Sequence, residues 1–150
     1  MEKKVNIVLN CFYYGFYLLA AVAAGLMWYL VNNGLLQPID TMSSAGQAIQ
    51  YVVICYVIAS VAGGLFAFKK LMERNMNQEK EKQLVAYRKW GIARICIIGL
   101  GIVLGITAFY LMGGYTSMIW CAAISAIGLY FCKPTLRKME IELQNNPMAE

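Results

Sequence analysis

Long charge-free runs alternate with short polar breaks along this chain, and one polar run outlasts the others. Ile7 to Val31 holds 25 residues without a charge, about 37 Å at helical rise, which exceeds a hydrocarbon core of about 30 Å. Asn32, Asn33 and Gly34 stop it, and a connection through Pro38, Asp40, Ser43, Ser44 and Gly46 leads to a second apolar run at about 49–68. A polar stretch over 69–91 carries Lys69, Lys70, Arg74, Lys80, Lys82, Arg88 and Lys89 against Glu73, Glu79 and Glu81. The third run covers about 92–112, Gly113-Gly114 marks a tight turn, and the fourth covers about 115–131 before Lys133-Pro134. In lipid every backbone polar group must be satisfied within the segment, so the pattern predicts helices. The expected fold is all-α: a polytopic membrane protein, one domain over 1–150, built as a bundle of four transmembrane helices.

The polar stretch is predicted helical as well. Residues 69–90 contain neither Gly nor Pro, Lys70/Glu73 and Glu79/Lys82 stand at i,i+3 spacing, and Leu71, Met72, Met76, Leu84 and Val85 supply one apolar side. A short charged helix over 135–144 and a frayed tail are expected after the fourth span. The first apolar run is too long for a removable secretion signal and is expected to remain as the first span.

Composition narrows the chemistry. The chain is 60% hydrophobic and 14% charged, well below the quarter or so usual in soluble domains. Its 13 Lys and Arg against 8 Asp and Glu do not point to nucleic acid. All 13 can be placed on one face of the membrane, leaving Asp40 on the other, so the linker and both termini are expected to be cytoplasmic, against anionic headgroups. His is absent, which removes the commonest general base and imidazole metal ligation together. The five cysteines, Cys11, Cys55, Cys96, Cys121 and Cys132, include no CxxC pair and lie in or beside apolar runs, where they read as small hydrophobes. No Asp or Glu falls within a span, and neither a P-loop nor a GxGxxG is present. No cofactor, metal or enzymatic activity is expected.

At about 100° per residue each span aligns small or polar residues on one stripe. The first aligns Asn6, Asn10, Tyr14, Tyr17, Ala21, Ala24 and Trp28; the second Tyr56, Ser60, Gly63 and Ala67; the third Arg94, Gly101, Gly105, Ala108 and Met112; the fourth Ser117, Cys121, Ser125, Gly128 and Cys132. Small residues let transmembrane helices approach, so Gly63, Gly101, Gly105 and Gly128 are candidate packing positions, with Gly99 expected on an open side of the third span. The stripes form either a packing seam or the lining of a pathway. In the second case Asn10, Tyr14, Tyr17 and Arg94 make a polar vestibule, with Arg94 held by Asn10 and a lipid phosphate.

Two segment pairs look alike: Lys3–Cys11 with Arg88–Cys96, and Gly64–Lys69 with Gly128–Lys133. They suggest two parallel helical hairpins, against the alternative that apolar spans of few residue types match by chance. Separately, Tyr87-Arg88 followed by Ile92 and Arg94, then Lys133-Pro134-Thr135 and Lys138, resembles a pattern in uncharacterised small four-span bacterial inner-membrane proteins. The resemblance covers the second half of the chain and implies four spans and that membrane, without an assigned activity. On physical grounds Arg88, Arg94 and Lys133 would lie at neighbouring depths, able to share a phosphate or cap the fourth span.

The function these features favour is non-enzymatic: a structural or accessory subunit of a membrane assembly, with lipids, other copies or other membrane proteins as partners. The alternative is a small oligomeric transporter or pore former for a neutral or anionic solute.

Overall fold

The computed structural model describes residues 2–75 and 79–144. The frayed tail and Met76 of the linker fall outside the described residues. Five helices account for nearly all the rest: α1 (Glu2–Asn32), α2 (Ser44–Asn75), α3 (Lys80–Leu111), α4 (Thr116–Phe131) and α5 (Leu136–Gln144). Three of them, α1, α2 and α3, are long and apolar enough to cross a membrane, and α4 with α5 make a fourth candidate only as a bent pair. The chain is thus a multi-pass, all-helical membrane protein. At 16 residues α4 is about 24 Å long, which by itself is short of a hydrocarbon core.

The linker is no separate element. Among its described residues, those up to Asn75 are the last turns of α2 and those from Lys80 the first turns of α3, because Lys, Glu, Leu and Met continue a helix readily. Lys82 and Glu79 pair at 3.4 Å, whereas Lys70 and Glu73 do not, so the continuation rests mainly on propensity.

Local chemistry sets the ends. Ser43 caps α2, its Oγ accepting from the Gly46 amide at 3.0 Å. Asp40 Oδ1 accepts from Met42 N at 3.0 Å, an Asx-type turn that aims the chain into that cap. Gly113 and Gly114 take φ of 63° and 88°, a left-handed pair that only glycine adopts without cost. The Gly114 amide meets the Phe109 carbonyl at 2.9 Å, closing α3 in the manner of a left-handed C-cap. Pro134 prevents α4 from continuing, and α5 leaves at 74°. That bend also ends the likeness between hairpins, since α2 passes through Lys69 as helix to Asn75.

Packing is centred on α3. Of its apolar window 44% is buried, against 17% for α1 and 22% for α2. It touches α1, α2 and α4, while α1 and α2 hardly meet. A Cβ built on Gly91 would meet Leu9, and one on Gly99 would meet Phe16, so α1 and α3 run parallel. Gly101 faces Ser125 and Gly105 faces Ala122, so α3 and α4 run antiparallel; Gly64 facing Ile98 and Phe68 meeting Tyr87 set α2 antiparallel to α3 as well. The starts of α1 and α3 and the ends of α2 and α4 therefore share one end of the bundle, which gathers the lysines and arginines. Asp40 lies at the other end, where the Ile39 amide is tied to the Leu111 carbonyl at 2.7 Å.

Sequence expectations about the faces of α1 and α3 need correction. In α1 the buried face is Val5, Leu9, Tyr13, Ala20 and Met27, and the small or polar stripe lies beside it rather than on it: Tyr14 and Trp28 are each 58% exposed and Ala21 is exposed, whereas Asn6, Asn10, Tyr17 and Ala24 are half-buried. The reason is complementarity, since the glycines of α3 supply the space that large α1 side chains fill. Gly99, expected on an open side, is buried for the same reason, with the Phe16 ring against it.

Candidate functional site

Arg94 is the one buried charged residue among those described, at 7% exposure. It sits at the basic end of the bundle because it lies one turn beyond Trp90, where α3 changes from polar to apolar, and its side chain leans back toward the start of that helix. Its guanidinium carbon lies 3.8 Å from the centroid of the Phe68 ring, a cation–π stack between α3 and α2. Phe68 in turn meets Tyr87 edge to face at 5.5 Å, so α2 and two turns of α3 clamp the arginine from the ring side. Arg94 Nε has no hydrogen-bond partner. An unpaired guanidinium nitrogen out of water is costly.

Arg94 also lines a groove of about 330 Å³ between α2 and α3. Ala59, Gly63 and Ala67 are exposed along it, so it opens sideways. Ser60 lies deeper, buried at 5%, with its hydroxyl donating to the Val57 carbonyl at 3.0 Å.

Beneath Arg94, α5 folds back under the bundle. Met139 is buried at 1% and Cys132 is fully buried, and Lys138 Nζ donates to the Phe131 carbonyl at 2.6 Å. The Phe131 carbonyl at the end of α4 is thus capped by Lys138, and the Leu129 and Tyr130 carbonyls by the Cys132 and Lys133 amides, while the Lys133 side chain is exposed. Glu142 Oε2 is buried without a hydrogen-bond partner. In the polar first part of α3, burial pushes the Tyr87 phenol above its ordinary range; the negative charge of Glu142 adds to this and the charge of Arg94 opposes it. Tyr87 thus serves as a packing neighbour of Phe68.

The remaining expected site residues are scattered. Asn10 donates to the Asn6 carbonyl at 3.0 Å within its own helix, so it does not hold Arg94. Tyr17 reaches across to α4, donating to the Ala126 carbonyl at 3.2 Å, and Tyr14 is exposed. Arg88 is exposed at the basic end and does not join Arg94. Gly101, Gly105 and Gly128 are buried in helix contacts, whereas Gly63 has open space around its Cβ position. At mid-depth Ser125 is fully buried with its Oγ unpaired, facing Gly101 with Ser60 nearby. Sequence reasoning missed Phe68, Glu142 and the capping role of Lys138. The run Phe68-Lys69-Lys70, an aromatic at the charge boundary, was an available signal for the first; Glu142 had none.

Comparison with protein-family models, with curated proteins and with solved structures finds no match to this chain.

Proposed function

We propose that this chain is a non-enzymatic structural or accessory subunit of an assembly in the bacterial inner membrane, with four spans and both termini in the cytoplasm. The observation that carries the reading is the exposed part of the stripe on α1. Tyr14, Ala21 and Trp28 are exposed, and Gly25 on the same side has no neighbour within 4 Å of a built Cβ. Small residues open to lipid gain nothing there, whereas they admit another helix closely. The occupant of that stripe is a helix of another copy or of a partner membrane protein. Orientation rests on the positive-inside distribution.

Passage of an anionic solute past Arg94 is the second reading. It requires a path between copies, because a Cβ on Gly105 would lie 2.8 Å from the Ala122 amide nitrogen and leaves no channel between α3 and α4 of one chain. The test of the first reading is co-purification in mild detergent with the natural chain and with Gly25→Leu. A partner or second copy held by the natural chain and lost from the variant is expected. A monomer without partners in both would sink the proposal.

A further inference from the structure

We propose that the groove between α2 and α3 is a lipid site, holding one acyl chain of an anionic phospholipid whose phosphate is bound by Arg94. Three observations converge. The groove is apolar, with small residues Ala59, Gly63, Gly64 and Ala67 along its α2 wall and the larger Trp90 and Ile97 on α3, a shape that admits a methylene chain. Its basic end is floored by Arg94, 93% buried by the same measure that gives 7% exposure, with Nε unpaired. The depth is right for a headgroup: the guanidinium stacks on Phe68, the last residue before Lys69 and Lys70, so the charge stands where the apolar run of α2 ends.

From Ala67 to Ala59 the groove follows eight residues of helix, about 12 Å at 1.5 Å per residue, enough for much of one acyl tail within a leaflet about 15 Å deep. A phosphate oxygen at the guanidinium supplies a counter-charge, and a charge-assisted bond of this kind is stronger than a neutral one. Glu142 does not fill this role, since among the described residues the ion pair within 4 Å is that of Lys82 with Glu79. An apolar helix from another protein would fill the groove but bury the guanidinium without a counter-charge, which disfavours that occupant. The proposal is independent of the assembly reading, which concerns the opposite side of the chain's contacts, on α1.

The test uses the full chain in neutral detergent, delipidated and then titrated with phosphatidylglycerol or phosphatidylcholine and read by native mass spectrometry. The natural chain is expected to retain one phosphatidylglycerol in preference to phosphatidylcholine. Arg94→Gln is expected to weaken that retention about tenfold or more, the scale of a lost charge-assisted contact. Gly63→Leu fills the groove from an open position and leaves Arg94 in place, so it remains informative if the Arg94 variant fails to fold; it too should lose the lipid. Inorganic phosphate is the competing arm, and at millimolar concentration it should not displace the lipid. Undiminished lipid retention by Gly63→Leu, equal retention of both lipids, or displacement by free phosphate would each overturn the proposal. So would a Gly63→Leu variant that keeps its lipid but loses a co-purifying protein.

Discussion

The Phe16 ring occupies the place where a side chain on Gly99 would stand: a built Cβ lies 2.5 Å from the ring's Cγ and 3.1 Å from Phe16 Cβ. The contact involves the stem of the side chain as well as its ring, so rotation of χ2 alone does not relieve it. Gly99→Leu is expected to destabilise by about 1 to 3 kcal/mol or more through overpacking. Phe16→Ala in the same chain should recover part of that loss, giving a coupling in a double-mutant cycle. Denaturation of the four proteins in mixed micelles measures it, and strict additivity would remove the contact from the account.

Gly105→Leu should be at least as damaging, because there the obstacle is the backbone of α4 at Ala122, which cannot swing aside. Gly63→Leu should stay within about 0.5 kcal/mol of the natural chain, since its Cβ position is open and leucine favours helix. Melting temperatures of the two variants in one detergent rank them, and equal losses would contradict the assigned faces.

Ser125 offers a prediction of opposite sign. Its buried Oγ has no partner, so Ser125→Ala removes an unsatisfied hydroxyl and should be neutral or stabilising by about 1 kcal/mol. A loss of more than that amount in thermal unfolding would mean that the hydroxyl is satisfied in the membrane.

Lys138→Met should loosen the bend between α4 and α5 by removing the donor to the Phe131 carbonyl. Hydrogen exchange at residues 132–139 is expected to quicken while exchange in α3 stays unchanged. Unaltered protection at the bend would leave Pro134 and Met139 as its supports.

Orientation can be read by thiol labelling in a cysteine-free background. A cysteine at Asn33, exposed at the Asp40 end, should react with an impermeant reagent on intact cells, and one at Glu81, exposed at the basic end, should not. The reverse pattern would invert the proposed topology.

Helix positions were legible in the sequence because hydrocarbon forbids unsatisfied backbone, so charge-free runs bounded by Lys69, Gly113-Gly114 and Pro134 leave few alternatives. The buried stripes of the third and fourth helices were legible too, from Gly101, Gly105, Ser125 and Gly128. What failed was the inward face of α1, together with Gly63 and Ala67 of the second stripe, which are exposed. In lipid, small or polar character marks a face that can approach another helix without saying which partner it meets, and here Leu9 and Phe16 enter the space left by Gly91 and Gly99. Small residues on one helix called for large ones on the other, a pairing that reading each span alone does not reveal. Arg94 was singled out from sequence, but its neighbours Phe68, Tyr87 and Cys132 come from three different segments and meet only in three dimensions.

The central place of α3 also imposes an order in time on biosynthesis. In the folded chain α1 and α2 hardly touch each other, and the docking positions for Leu9 and Phe16, at Gly91 and Gly99, are made only after both. The first two spans must therefore wait in the bilayer, or beside the insertion machinery, as separate helices. Arrival of the third converts them from bystanders into neighbours, and α4 can lock against Gly101 and Gly105 only afterwards. A nascent chain stopped after residue 75 should accordingly be a far better protease and crosslinking target than one stopped after residue 131.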